Sequence, residues 1–151
     1  MKLNKYKQSS EFNCGPTALA ALLDLQLSIE ANLSTIEKEL NCTEDNGTSN
    51  KDITDWLDKK GYDYIASNGD HILQNLPLLV NYQYDDDGHY GIILHIFENM
   101  VYLFNPWTAE IEHILLFEFI DSWYSMRYGK KWGLYLKKPD IQFPDCDPAS
   151  K

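Results

Sequence analysis

The spacing of the apolar residues changes near Gly61, and this change constrains the fold more than any other feature of the sequence. Before Gly61 the apolar residues recur every three or four positions, as they do in amphipathic helices. After Gly61, short runs rich in β-branched and aromatic residues are separated by polar turns, which is typical of strands. Helices that precede a block of strands indicate an α+β domain, with N-terminal helices packed on an antiparallel β-sheet.

The same pattern predicts the individual elements. One helix starts at Cys14, a second covers 29–40, and a third follows Ser49, which has capping-box spacing to Asp52. The runs 89–97 and 101–105 predict a hairpin, and His95 is expected on the same sheet face as His89 because side chains alternate along a strand. Further strands are predicted at 62–66, 78–84, 111–115 and 132–136, and a fourth helix at 117–124.

The length of 151 residues suits one domain. We place it at 1–138 and expect 139–151, which contains three prolines, to be a loose C-terminal tail. No segment approaches the ~20 apolar residues of a membrane helix, and no secretory signal or phosphate-binding loop of an ATP-binding domain is present. A cytoplasmic protein is therefore expected, with secretion without a leader left open.

The charge balance and the cysteines exclude several classes of protein. The net charge is −10, with 23 acidic residues, 13 basic ones and a single arginine, Arg127, so a nucleic-acid partner is not expected. The three cysteines form no CxxC pair and their odd number argues against a disulfide framework, which favours a reducing compartment. The four histidines lack metal-ligand spacing, so neither a metal nor another cofactor is predicted.

Cys14 is the candidate nucleophile. It lies where a polar loop becomes a helix, and the helix dipole and free N–H groups at such a position favour the reactive thiolate. Gly15 next to it would let a substrate carbonyl approach, and the Cys14 N–H would help to hold an oxyanion. A buried structural cysteine is an equally good interpretation of the local sequence alone.

Three further residues could complete such a site. His89 is the candidate base, and the three carboxylates of 85–87 beside it are expected to raise its pKa. Asn105, at the end of the partner strand, could orient the imidazole, and the Gln8 amide could hold an oxyanion. The alternatives are a loop histidine, a turn-forming asparagine before Pro106 and a surface glutamine.

Taken together, these residues resemble the bacteriocin-processing, double-glycine leader cysteine peptidases over about 6–136. The resemblance rests on QSSEFNCGPTAL at 8–19, GTS at 47–49, GY at 61–62, LPLLV at 76–80, GHYGII at 88–93, NP at 105–106 and FEFIDSW at 117–123. It implies a papain-like fold and a Gln, Cys, His, Asp site. Gln8, Cys14 and His89 match that site, and Asn105 stands where the family usually has Asp. Because the transporter segments that usually follow are not found, a stand-alone member is expected.

The resulting prediction is a cysteine peptidase or amide hydrolase that acts on a peptide or protein. Cys14, His89 and Asn105 would form the triad, and Gln8 would be an oxyanion donor. An acyltransferase of the same fold and an inactive binding module are the alternatives left open.

Overall fold

The computed structural model describes residues 3–45, 47–85, 87–125 and 129–138. Helices come first along this part of the chain and an antiparallel sheet follows. The α+β prediction is therefore confirmed. The predicted tail at 139–151 lies outside the described residues, and the domain boundary at 138 stays a prediction.

The helices are α1 (Cys14–Leu27), α2 (Leu33–Glu39), α3 (Asn50–Lys60) and α4 (Leu116–Ser122), and short 3-10 turns lie at Leu3–Lys5 and Asp70–Gln74. Helix α1 is the central helix, because its first ten residues are all buried. Helix α2 begins later than predicted, since the Asn32 side chain caps it by accepting from the Thr35 N–H. The predicted capping box of Ser49 and Asp52 is present at α3.

Six strands form the main sheet: β1 (Tyr64–Asn68), β2 (Leu78–Tyr84), β3 (Asp87–Phe97), β4 (Met100–Asn105), β5 (Glu110–Leu115) and β8 (Trp132–Leu136). Their order is β1-β8-β2-β3-β4-β5, and every neighbouring pair is antiparallel. Strands β6 (Tyr124–Ser125) and β7 (Gly129–Lys130) form a separate ribbon. The C-terminal strand β8 thus lies between β1 and β2.

The hairpin of β3 and β4 is confirmed, but its register is irregular. Glu98 and Asn99 have φ angles of 51° and 64°, the left-handed pair that a two-residue hairpin turn requires. The register shifts between Ile93 and His95, so His95 pairs with Tyr102. This bulge moves His95 to the face opposite Ile93 and His89, and the expected shared face was wrong.

The sheet separates two apolar cores. Helices α1, α2 and α3 cover one face, where Leu19, Leu22, Ile92 and Phe104 are fully buried. Helix α4 covers the other face through Phe119, which packs near Trp123. None of the helices in the described part of the chain is long and apolar enough to cross a membrane.

Candidate active site

The start of α1 has no side-chain cap. Asn13 is the N-cap residue, yet its side chain makes no capping hydrogen bond. Its amide instead accepts from the Ser10 N–H at 3.1 Å and donates to the Ser9 hydroxyl at 3.0 Å and to Glu37. The first N–H groups of α1 are therefore not taken by the usual side-chain cap.

Cys14 is the first residue of α1, and the residue is 8% exposed. Burial raises the pKa of the thiol to about 11, and backbone N–H groups of Tyr90, Gly15 and Cys14 itself partly oppose this shift. The expectation of a resting thiolate was therefore wrong, because the cost of burying the charge exceeds the help from the helix terminus.

Gly15 serves close packing. A β-carbon at this position would lie 2.8 Å from Cβ of Thr48, so no larger residue fits without a shift. Thr48 fills the space on this side of Gly15, so packing alone accounts for a glycine here, and its role beside a substrate carbonyl stays a prediction.

His89 lies on β3, is 6% exposed and is held between two aromatic rings. The Tyr84 ring stacks on the imidazole with centroids 4.9 Å apart, and Tyr82 contacts it edge-on at 5.6 Å. The ring nitrogen Nε2 lies 2.8 Å from Oδ1 of Asn105. His89 and Asn105 are thus close together, as predicted, and the imidazole contacts Tyr82, Tyr84 and Asn105.

Asn105 ends β4 and is fully buried, and its amide has a defined orientation. Oδ1 accepts from the Trp107 N–H at 2.9 Å, and Nδ2 donates to the Glu112 carboxylate at 2.8 Å. A backbone N–H can only donate and a carboxylate accepts, so the oxygen must face Trp107 and His89. It follows that Nε2 of His89 carries the hydrogen, and that Nδ1 is the basic nitrogen of the neutral ring.

Burial lowers the pKa of His89, and the hydrogen bond to Asn105 opposes this only in part. The sequence had predicted the opposite direction from the carboxylates of 85–87. Asp85 and Asp87 are exposed, so water screens their charge, and Asp86 lies outside the described residues. At neutral pH the site therefore holds a neutral imidazole and a neutral thiol.

Gln8 is next to the same turn as Asn105, since its backbone N–H donates to the Pro106 carbonyl at 2.9 Å. It is 6% exposed, so it is not the surface glutamine of the alternative interpretation. Nε2 donates one hydrogen to the Ser10 carbonyl at 2.8 Å, which leaves the second amide hydrogen for another acceptor.

A cleft opens beside these residues. Its walls are formed by Gln8, Glu11, Tyr84, Asp85, Asp87, Gly88, His89 and Trp107. Three of these residues are acidic, none is Lys or Arg, and Trp107 is 43% exposed.

The predicted residues are therefore brought together to different degrees. Gln8 and His89 line the cleft, and Asn105 is bonded to His89. Cys14 is not among the residues that form the walls of the cleft, and its thiol accepts a hydrogen bond from the backbone N–H of Tyr90. Among the described residues, its sulfur forms no hydrogen bond with the imidazole.

Sequence reasoning missed the partners that hold the imidazole and the amide. Tyr82, Tyr84 and Glu112 are ordinary residues of strands when taken alone. The one available signal for Glu112 was its place in the hairpin that follows Asn105, because alternate residues of its strand share the face of Asn105.

Comparisons with known proteins agree with this architecture. The model of the peptidase C39 family matches residues 2–127. None of the curated proteins matches the chain in sequence.

The solved structures that share the fold include two peptidase domains. The peptidase domain of Streptococcus ComA, a bi-functional ABC transporter involved in quorum sensing, superposes with a TM-score of 0.74 at 16% identity, covering 88% of this chain and 96% of that domain. A double glycine motif protease from an AMS/PCAT transporter, solved with its leader peptide, gives a TM-score of 0.71 at 14% identity, covering 88% and 89%. The likeness shows the predicted papain-like fold. With most of the chain matched by the family model, this protein belongs to the peptidase C39 family and is a cysteine peptidase.

Proposed function

We propose that the protein cleaves an amide bond of a peptide, with Cys14 as nucleophile and His89 as base. The observation that supports this most strongly is the 2.8 Å hydrogen bond from His89 Nε2 to Asn105 Oδ1. Because Nε2 carries a hydrogen, the neutral ring has its lone pair on Nδ1. That nitrogen is the one left to take a proton from a nucleophile.

In the proposed first half-reaction, the thiol proton moves to Nδ1 of His89 while the sulfur of Cys14 bonds to the carbonyl carbon. The free amide hydrogen of Gln8 and the N–H of Cys14 would stabilise the oxyanion. The imidazolium then protonates the leaving amine, and the carbon–nitrogen bond breaks to give a thioester. Asn105 Oδ1 would stabilise the imidazolium through the Nε2–H bond.

In the second half-reaction, His89 removes a proton from water, and the hydroxide adds to the thioester. The carbon–sulfur bond then breaks, the acid is released, and the thiol of Cys14 takes back its proton. If an amine replaced water, the same intermediate would yield a new amide, which is the acyltransferase alternative.

The two pKa shifts determine how the first step proceeds. Burial raises the pKa of Cys14 and lowers that of His89, so both shifts oppose an ion pair at rest. Proton transfer is therefore coupled to formation of the carbon–sulfur bond, when the negative charge moves from sulfur onto the oxyanion.

The substrate that we propose carries two glycines before the cleaved bond. One structural relative is a double glycine motif protease that was solved with a leader peptide. The burial of Cys14 is compatible with this, since the thiol of a residue that is only 8% exposed is most easily reached by backbone without side chains. The acidic cleft favours neutral or basic residues close to that bond.

The test is mass spectrometry of a synthetic peptide that contains Gly-Gly, with an Ala-Ala peptide of the same length as substrate control. Cys14→Ala should abolish cleavage. Cys42→Ala removes the half-buried second thiol and should cleave at the wild-type rate. Equal rates for Cys14→Ala and wild type would refute the proposal.

The same experiment separates the alternatives. With a primary amine added, an acyltransferase would give mainly the new amide, whereas a hydrolase would still release mainly the acid. Peptide binding without cleavage by the wild-type protein would favour the binding module.

A further inference from the structure

Glu112 contacts the proposed site from the edge strand of the sheet. Its carboxylate accepts the hydrogen bond from Asn105 Nδ2 at 2.8 Å. In the register of β4 and β5, Asn105 is opposite Glu110, so Glu112 is its diagonal neighbour on the same face. The negative charge of Glu112 also contributes, after burial, to raising the pKa of Tyr82, the ring that packs edge-on against His89.

We propose that Glu112 is a positioning residue that sets the orientation of the Asn105 amide and, through it, the tautomer of His89. This inference rests on the proposed function, in which Nδ1 of His89 is the base. Glu112 does not touch the reacting atoms and acts only through Asn105.

The two ends of an amide have nearly the same shape, so the hydrogen-bond partners decide which way the Asn105 side chain faces. If the Asn105 amide were flipped, Oδ1 would face the Glu112 carboxylate and Nδ2 would face the Trp107 N–H. Both new contacts would be repulsive, and the lost bond to Glu112 is the charge-assisted one. A flipped amide would also present N–H to His89, which would move the ring hydrogen to Nδ1 and remove the base.

Glu112 also explains why an amide, and not a carboxylate, suits position 105. In Asn105→Asp, one oxygen of the new, buried carboxylate would lie at hydrogen-bond distance from an oxygen of the partly buried Glu112. Two such groups cannot both be ionised there without a large cost. Replacing Glu112 by Gln would remove the conflict, because the Gln amide could donate to the introduced carboxylate.

The experiment compares Glu112→Ala, Glu112→Gln, Asn105→Asp and the double variant Asn105→Asp/Glu112→Gln. Glu110→Gln is the matched control, since it removes an exposed carboxylate from the same strand. The first readout is ¹⁵N NMR of the His89 ring, which reports the tautomer without any substrate. The second is the pH profile of kcat/KM on the Gly-Gly peptide.

We expect Glu112→Ala to lower the population of the Nε2–H tautomer, since only the Trp107 N–H then holds the amide, and to lower kcat/KM by about 10- to 100-fold, the effect of removing partners that orient metal-bound histidines. Glu112→Gln keeps an acceptor and should stay within about threefold of wild type, as should Glu110→Gln. Asn105→Asp should be impaired, and adding Glu112→Gln should restore about tenfold or more.

A wild-type tautomer and wild-type pH profile in Glu112→Ala would overturn the inference, and so would a double variant no better than Asn105→Asp alone. Thermal melting identifies any variant that fails to fold, and the two Glu112 variants then decide the question. If the wild-type protein cleaves no peptide, the proposed function fails, while the NMR comparison still tests the role of Glu112.

Discussion

Alkylation of Cys14 should become fast only at a much higher pH than alkylation of an ordinary cysteine. The thiol has a pKa of about 11 because it is buried, so at pH 7 only about one molecule in 10,000 carries the thiolate. A free cysteine with a pKa of ~8.5 is ionised to about 3 in 100 at that pH. The structure therefore predicts roughly 300-fold slower reaction at pH 7 from ionisation alone.

The assay is alkylation with iodoacetamide between pH 4 and 10, quantified by peptide mapping so that each cysteine is read separately. N-acetylcysteine in the same tube supplies the reference rate. The alkylation rate of Cys14 should rise about tenfold per pH unit up to pH 10 without reaching a plateau. His89→Gln should show the same shape, because a neutral imidazole does not stabilise a thiolate.

One result would contradict the conclusion that the Cys14 thiol is neutral at rest. A rate that is already constant between pH 5 and 8 in the wild-type protein, and that is lost in His89→Gln, would establish a thiolate–imidazolium ion pair. It would then be wrong that the cost of burying the thiolate exceeds its stabilisation by the helix terminus. The proposed peptidase chemistry would stand.

Three other expectations follow from the structure. The pKa of His89 is lowered on folding, so the unfolded ring binds a proton as the pH falls through ~6.5 while the folded ring does not. The free energy of unfolding should therefore fall below that pH, and urea titrations should show a weaker decline for His89→Gln. Gly91→Ala should destabilise the fold by about 1–3 kcal/mol in the same assay, because its β-carbon would lie 2.9 Å from the Phe104 carbonyl oxygen. Glu11 and two aspartates line the cleft, so a Gly-Gly peptide flanked by Lys should show a lower KM than one flanked by Glu, and 0.5 M salt should reduce the difference. A lower KM for the Glu peptide would contradict the placement of the substrate in this cleft.

Much of the fold could be predicted from local sequence. The start of α1 at Cys14, the capping box of Ser49 and the strand Leu78–Tyr84 all lie where the pattern predicted them. These features depend on neighbours close in sequence, and their signals are visible in short windows.

The parts that could not be predicted depend on distant contacts. Nothing local places β8 between β1 and β2, and nothing local indicates the bulge that turns His95 to the other face. The first strand also lies two residues later than predicted, at Tyr64–Asn68, where its pairing with β8 sets the limits.

In the candidate site, too, the identity of the residues could be predicted from the sequence, whereas properties that depend on distant contacts could not. Its four residues were selected by residue type, by spacing and by the family resemblance, and none of these measures how deeply Cys14 and His89 are buried. Burial reverses the expected direction of both pKa values, since only the helix terminus at Cys14 and the carboxylates beside His89 had been considered. Glu112 was missed because its role arises only when β4 and β5 pair.

The proposed function requires that Cys14 carries the acyl group during turnover, and an activated substrate can trap that intermediate. The protein is mixed with a peptide nitrophenyl ester that ends in Gly-Gly, quenched in acid within the first turnover, and mapped by mass spectrometry. If Cys14 is the nucleophile, a hydroxylamine-sensitive thioester should be found on Cys14 in the wild-type protein and in Cys42→Ala. An acyl group found elsewhere, or release of nitrophenol by Cys14→Ala at the wild-type rate, would contradict it.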